Sequence, residues 1–173
     1  MNRSQLEPLL LTLESTPALL ERAAREFSGR EATRRPDGGG FSLVENVWHL
    51  ADLEREGYGV RIRRLLTEQE PTLSNFDGGR IARERGYQTR SLEEGLGAFR
   101  VARRRNVERL RAVPAGAWSR AGLQDSVGRV TLADLPRMMA EHDRSHTEDI
   151  RALLQWLRSG AALARPHPTS AVA

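Results

Sequence analysis

Three histidines offer this chain its most pointed chemistry. Two of them stand four residues apart, in His142-Asp143-Arg144-Ser145-His146, and residues at i and i+4 of a helix share one face. Two imidazoles so placed can reach one ion, at about 2.0–2.1 Å per zinc–nitrogen bond. No glutamate follows His142, so the zinc-protease pattern is absent. His49 is the third candidate. If its helix packs beside that of the pair, three neutral nitrogen donors meet and at least one coordination position stays open, the layout of a catalytic rather than a closed structural site. A dication held by uncharged ligands keeps its full charge, enough to bring the pKa of water to about 7 or to hold a thiol as thiolate. Zinc or nickel is the ion expected, and iron, manganese and copper also suit such donors. His167, between Pro166 and Pro168, is read as solvated.

Two further residues join the candidate site. Glu45, His49, Asp52 and Glu56 fall on one helical stripe, with steps of four, three and four, so Asp52 stands one turn beyond His49. There it could orient the imidazole or take a proton from activated water. Arg103 and Asn106 interrupt an otherwise apolar row of Leu92, Leu96, Phe99, Leu110 and Val113. A buried guanidinium needs a partner, so Arg103 is expected to meet a carboxylate of the protein or an anionic part of a ligand. The chain has no cysteine. Disulfides, thiolate ligands and an internal thiol nucleophile are thereby excluded, and any thiol chemistry requires an external thiol.

The elements that must carry these residues are helices. Four segments repeat their apolar residues at the 3.6-residue period, and each opens on a capping residue. Ser4 with Glu7 opens the first, and Thr16 with Pro17 suggests a kink or restart within it. Ser42 with Glu45 opens the second, which runs to about Leu66. Ser91 with Glu94 opens the third, ending near Val113. Thr131 with Asp134 opens the fourth, whose inward stripe reads Leu135, Met139, His142, His146, Ile150, Leu153 and Leu157. The connections over 70–90 and 115–130 are long enough to cover an opening. The fold class expected is all-α, with one helical domain over 1–160 and, after Gly160, a disordered tail over 161–173 rich in Ala, Pro, Ser and Thr.

Composition narrows the partners. All 27 basic residues are arginine, yet the net charge is only +4. The densest cluster, Arg100, Arg103, Arg104, Arg105, Arg109 and Arg111, wraps around a helix instead of following one face, so nucleic-acid binding is not expected. No run of eighteen apolar residues occurs, and Glu7, Glu14 and Glu21 punctuate the N-terminal stretch. Neither a membrane span nor a signal peptide is expected, and the location expected is cytoplasmic.

Taken together, several stretches resemble the DinB-like (YfiT-like) metal-binding bundle family, which is unrelated to the DNA polymerase sharing that name. They are Ser15-Thr16-Pro17, the run from Phe41 through Trp48-His49-Leu50-Ala51-Asp52, Asn75-Phe76-Asp77, Gly86-Tyr87, Phe99 with Arg103, Trp118, Gly128 with Thr131, and Glu141-His142 through His146 to Ile150. The resemblance implies an antiparallel four-helix bundle with an up-down-down-up path, long connecting loops and homodimerisation. It also implies that His49, His142 and His146 are the metal ligands, since each falls at a matching position. Proteins similar to this one include transferases and isomerases that use low-molecular-weight thiols such as mycothiol or bacillithiol. The expected function is that of a metal-dependent enzyme, a thiol-dependent transferase or hydrolase acting on a small molecule. The rival is a non-catalytic protein that captures a small ligand or responds to stress.

Overall fold

The computed structural model describes residues 3–159; the tail expected over 161–173, with His167, lies outside them. Four long helical segments form the bundle: α1 (Arg3–Ala24), a second built from α2 (Leu43–Asp52), a π-turn (Leu53–Tyr58) and α3 (Gly59–Thr67), then α5 (Leu92–Arg111) and α6 (Leu135–Ser159), with a short α4 (Gly78–Glu84) between α3 and α5. Both α1 and α2 pack against α5 and α6. None of these helices is long and apolar enough to cross a membrane.

The caps follow from the sequence. Ser42 accepts from the Glu45 N–H while the Glu45 carboxylate accepts from the Ser42 N–H, a complete capping box. Ser91 likewise accepts from the Glu94 N–H. Asp134 accepts from both the amide and the hydroxyl of Thr131, at 2.9 and 2.6 Å, just before α6 begins.

Two features depart from the periodicity reading. α1 is one continuous helix with Pro8 and Pro17 inside it, not a helix that restarts at Thr16. Proline has no N–H, so Pro17 leaves the carbonyl four residues earlier without its helical donor. That carbonyl, of Leu13, instead accepts from Arg103 Nη1 at 3.1 Å. The second departure is the π-turn. Its wider spacing places Glu54, off the predicted inward stripe, in the interior beside Arg103.

The long connections are more ordered than plain loops. β1 (Thr72–Leu73) pairs in parallel with β2 (Ala121–Gln124), and β2 pairs antiparallel with β3 (Gly128–Thr131), giving a small three-stranded sheet in the order β1-β2-β3. Ser126, in the turn between β2 and β3, and Gly128, the first residue of β3, take positive φ.

Two apolar clusters make the core. Leu6, Leu10, Leu13, Ile62, Leu65, Leu110, Leu135 and Met139 belong to one; Leu20, Leu43, Val47, Phe99, Ile150, Leu153 and Trp156 belong to the other. Buried polar residues fall between the two along three of the helices: Thr16 on α1, Arg103 and Asn106 on α5, Asp143 and His146 on α6. The site lies at this polar band.

Candidate metal centre

α2 is buried along its whole length, Leu43 to Asp52, so His49 has no solvent-facing alternative. From α6, His142 and His146 turn to the same point, one helical turn apart. One ring nitrogen from each of the three histidines lies within 4.8 Å of the others. The Nε2 atoms of His49 and His142 are 3.3 Å apart. Two nitrogens each about 2.0–2.1 Å from one tetrahedral ion stand about 3.3–3.4 Å from each other, so this spacing suits a shared cation. Burial pushes all three imidazoles down to a pKa of about 3, and the neighbouring rings add to the effect. They are therefore neutral donors at physiological pH, the form a metal requires.

Each ring is held from behind. His146 Nδ1 stands 2.7 Å from Asn46 Oδ1. The Asn46 amide nitrogen donates to the carbonyls of Ser42, at 3.0 Å, and Phe41, at 3.3 Å, which fixes its oxygen as the atom facing the histidine. An acceptor there demands a proton on His146 Nδ1, and leaves Nε2 with its lone pair toward the other rings. The His49 ring sits among Phe41, Phe76 and Gly78: ring centroids lie 5.6 Å from Phe41 and 5.7 Å from Phe76. A Cβ at residue 78 would overlap the imidazole, so a residue without a side chain is required there. His49 Nδ1 is buried and has no hydrogen-bond partner among the described residues. Tyr58 closes the His142 side, edge-on at 6.3 Å.

A cavity of about 260 Å³ opens on His49 and His146. The connection between α1 and α2 contributes Arg35, Gly40 and Phe41 to its lining, and α4 contributes Gly78, Gly79, Ala82 and Arg83. Of the two connections expected to cover an opening, the one over 70–90 therefore does line the cavity, while no residue of the β2–β3 hairpin lines it. Glu45 also borders the cavity, gripped by Arg35. Burial resists its ionisation, but the hydrogen bonds from Arg35 and Ser42 outweigh that and hold Glu45 below the usual carboxylate range.

Asp52 lies one turn beyond His49 but makes no hydrogen bond to it. Its carboxylate instead accepts from Tyr87 Oη at 2.6 Å, Arg85 Nη1 at 2.5 Å and Arg55 Nη2 at 2.9 Å. Arg85 and Tyr87 come from the segment that follows α4, so Asp52 ties that segment to α2, while Arg55 stands in the adjoining π-turn. Arg103 meets the carboxylates of the protein: Asp143 through both Nη atoms, at 2.5 and 2.8 Å, and Glu54 at 2.9 Å. Asn106 donates to Glu54 Oε1 at 2.9 Å and to its carbonyl at 2.7 Å, and Thr16 donates to Asp143 at 2.7 Å. Neither Asp52 nor Arg103 lines the cavity.

Sequence reasoning missed Asn46, Arg35 and Arg83. Asn46 left one usable signal, a side-chain amide three residues before His49 on the same helix. The two arginines left none, since nothing separates them from the many others in this chain.

Comparison with known proteins bears on this geometry. The DinB superfamily pattern matches residues 12–150. A Bacillus licheniformis protein whose name makes it a candidate metal-dependent hydrolase is 34% identical over 73 residues, 42% of this chain and 41% of that protein. The chain thus spans about two fifths of the length of the curated relative it matches. YfiT from Bacillus subtilis, described as a candidate metal-dependent hydrolase with an unusual four-helix bundle topology, superposes with a TM-score of 0.83 at 22% identity, over 92% of this chain and 90% of that one.

Proposed function

The chain belongs to the DinB superfamily, and from that premise we propose that it is a metal-dependent hydrolase of a small molecule, with His49, His142 and His146 as its metal ligands. The observation that carries this reading is the convergence of three neutral imidazoles, one ring nitrogen each within 4.8 Å, at the end of a cavity. A divalent ion held there, zinc or nickel foremost, supplies Lewis acidity and makes water nucleophilic at neutral pH. The names of the Bacillus relatives support hydrolysis.

The chain's own residues do the rest. Asn46 keeps the His146 proton on Nδ1 so that Nε2 stays free to ligate. Phe41 and Ala82 give the cavity apolar walls that limit water around the reacting group. Asp52 and Arg103 enter as positioning residues: Asp52 ties down the segment following α4, and Arg103 anchors Asp143 next to His142. A transferase reading shares every ligand, and the absence of cysteine means that its thiol must come from outside.

Elemental analysis of untagged protein tests the proposal: about one divalent ion per chain is expected from a single three-ligand set, and none in His146→Ala. Full metal content in that variant would remove the site from consideration. Metal-loaded protein screened with ester and amide substrates, and with thiols plus electrophilic acceptors, is expected to show turnover that disappears in His49→Ala. Ligand binding without turnover across the panel favours the non-catalytic rival.

A further inference from the structure

We propose that the cavity beside the histidines takes a substrate carrying an anionic group, carboxylate or phosphate, and that Arg83 binds that group. The inference rests on the metal-dependent reading above and adds to it the class of molecule the site accepts.

The charges around the cavity point this way. Its lining contains two guanidinium groups, Arg35 and Arg83, and one carboxylate, Glu45. Arg35 is committed to that carboxylate, through Nε at 2.8 Å and through Nη2. The pair is self-contained, and Glu45 also accepts the Ser42 N–H at 3.0 Å. Arg83 differs: among the described residues its guanidinium has no ion-pair or hydrogen-bond partner, and no second carboxylate lines the cavity to supply one. The histidines contribute no charge, being neutral. The wall is therefore net positive before any ion is counted, and more so with a dication on the imidazoles.

Unpaired arginines are common on this surface; location singles out Arg83. On the same short helix, Arg80 is occupied by Glu84 at 2.8 Å and lies 3.8 Å from Asp77, and it does not line the cavity. Arg83 Nη1 lies beside Gly79, 3.6 Å from where a Cβ of that residue would stand. Gly78, where a Cβ would strike the His49 ring, and Gly79, beside Arg83, line the same cavity as His49 and Arg83 and add no side chain to it. A small molecule can thus place its reacting end at the histidines and its anionic end on the planar fork of Arg83, which suits the paired oxygens of a carboxylate or a phosphate. A cationic substrate meets net repulsion on this wall, because its one carboxylate is already paired with Arg35.

The test follows the Gly78 and Gly79 amide shifts by NMR while untagged protein of measured metal content is titrated with succinate, phenyl phosphate and the neutral succinamide. Both anions are expected to shift these amides saturably, and succinamide is expected not to. Arg83→Gln should weaken the tighter anion at least about tenfold, the loss of a charge-assisted contact. Arg83→Lys should retain part of the affinity, and Arg80→Gln all of it. The tighter anion tells a carboxylate substrate from a phosphate ester. Parental affinity in Arg83→Gln, or succinamide binding as tightly as succinate, overturns the inference. Protein without metal whose anion binding still depends on Arg83 overturns the metal-dependent reading and leaves the anionic subsite standing; full metal content with Arg83-independent binding does the opposite.

Discussion

His142 and Asp143 are neighbours in sequence, yet they serve polar groups of opposite design. Asp143 belongs to a closed set: with Glu54 it surrounds the Arg103 guanidinium, and Thr16, Asn106 and the Leu13 carbonyl take up further hydrogen bonds. Only Arg103 Nε in that set lacks a partner. His142 belongs to an open set, in which two Nε2 atoms face each other at 3.3 Å and His49 Nδ1 has no partner among the described residues. Buried charges persist only when paired, so the first group is answered from within the chain. Neutral imidazoles tolerate an unanswered lone pair at smaller cost, so the second can wait for an ion. The lesson is that buried polarity alone does not mark a functional site; unused bonding capacity facing a cavity does.

That contrast can be broken in three places. The largest effect is expected from Arg103→Leu, which strands two buried carboxylates. Chemical denaturation of the metal-free protein should show a loss of about 3–5 kcal/mol, and a change under 1 kcal/mol, taken as about the exposed-pair range, would mean the closed set is not closed. Next comes Asn46→Leu, which removes the acceptor that fixes the His146 tautomer. Metal affinity measured against a competing chelator should drop about 10- to 100-fold, whereas Asn46→Asp, which keeps an acceptor, should stay near the parent. Equal affinities in Asn46→Leu and the parent would show that the tautomer is not set there. The smallest effect is expected from Thr16→Val, which deletes one of several bonds to Asp143. It should lower stability by about 1 kcal/mol without altering metal content; a change in metal content instead would show that the two groups are coupled across α6.

Much of this was legible from residue types and spacing. Apolar periodicity and capping pairs such as Ser42–Glu45 placed the four helices, because both signals are local. The i, i+4 spacing of His142 and His146 put both on the inward stripe of one helix, the row of Glu45, His49 and Asp52 offered His49 as the third donor, and the resemblance placed all three at ligand positions. The interruption of an apolar row by Arg103 announced a buried partner but could not name it. Glu54 fell in neither of the rows read along the second helix, and the π-turn that carries it is recognisable only in the folded backbone.

What the sequence determined, then, is which elements form and which donor atoms they carry, because both depend on contacts within a few residues. Tertiary structure alone decided how those atoms meet. It brought Arg103 to the carbonyl that Pro17 leaves unbonded, letting α1 run on where a kink or restart was expected. It turned Asp52 toward Arg85 and Tyr87 rather than His49, and set Arg83 on the wall of the cavity. The physical reason is the same in each case: a hydrogen bond or a charge acts over a few ångströms, and only packing brings groups separated by tens of residues within that range.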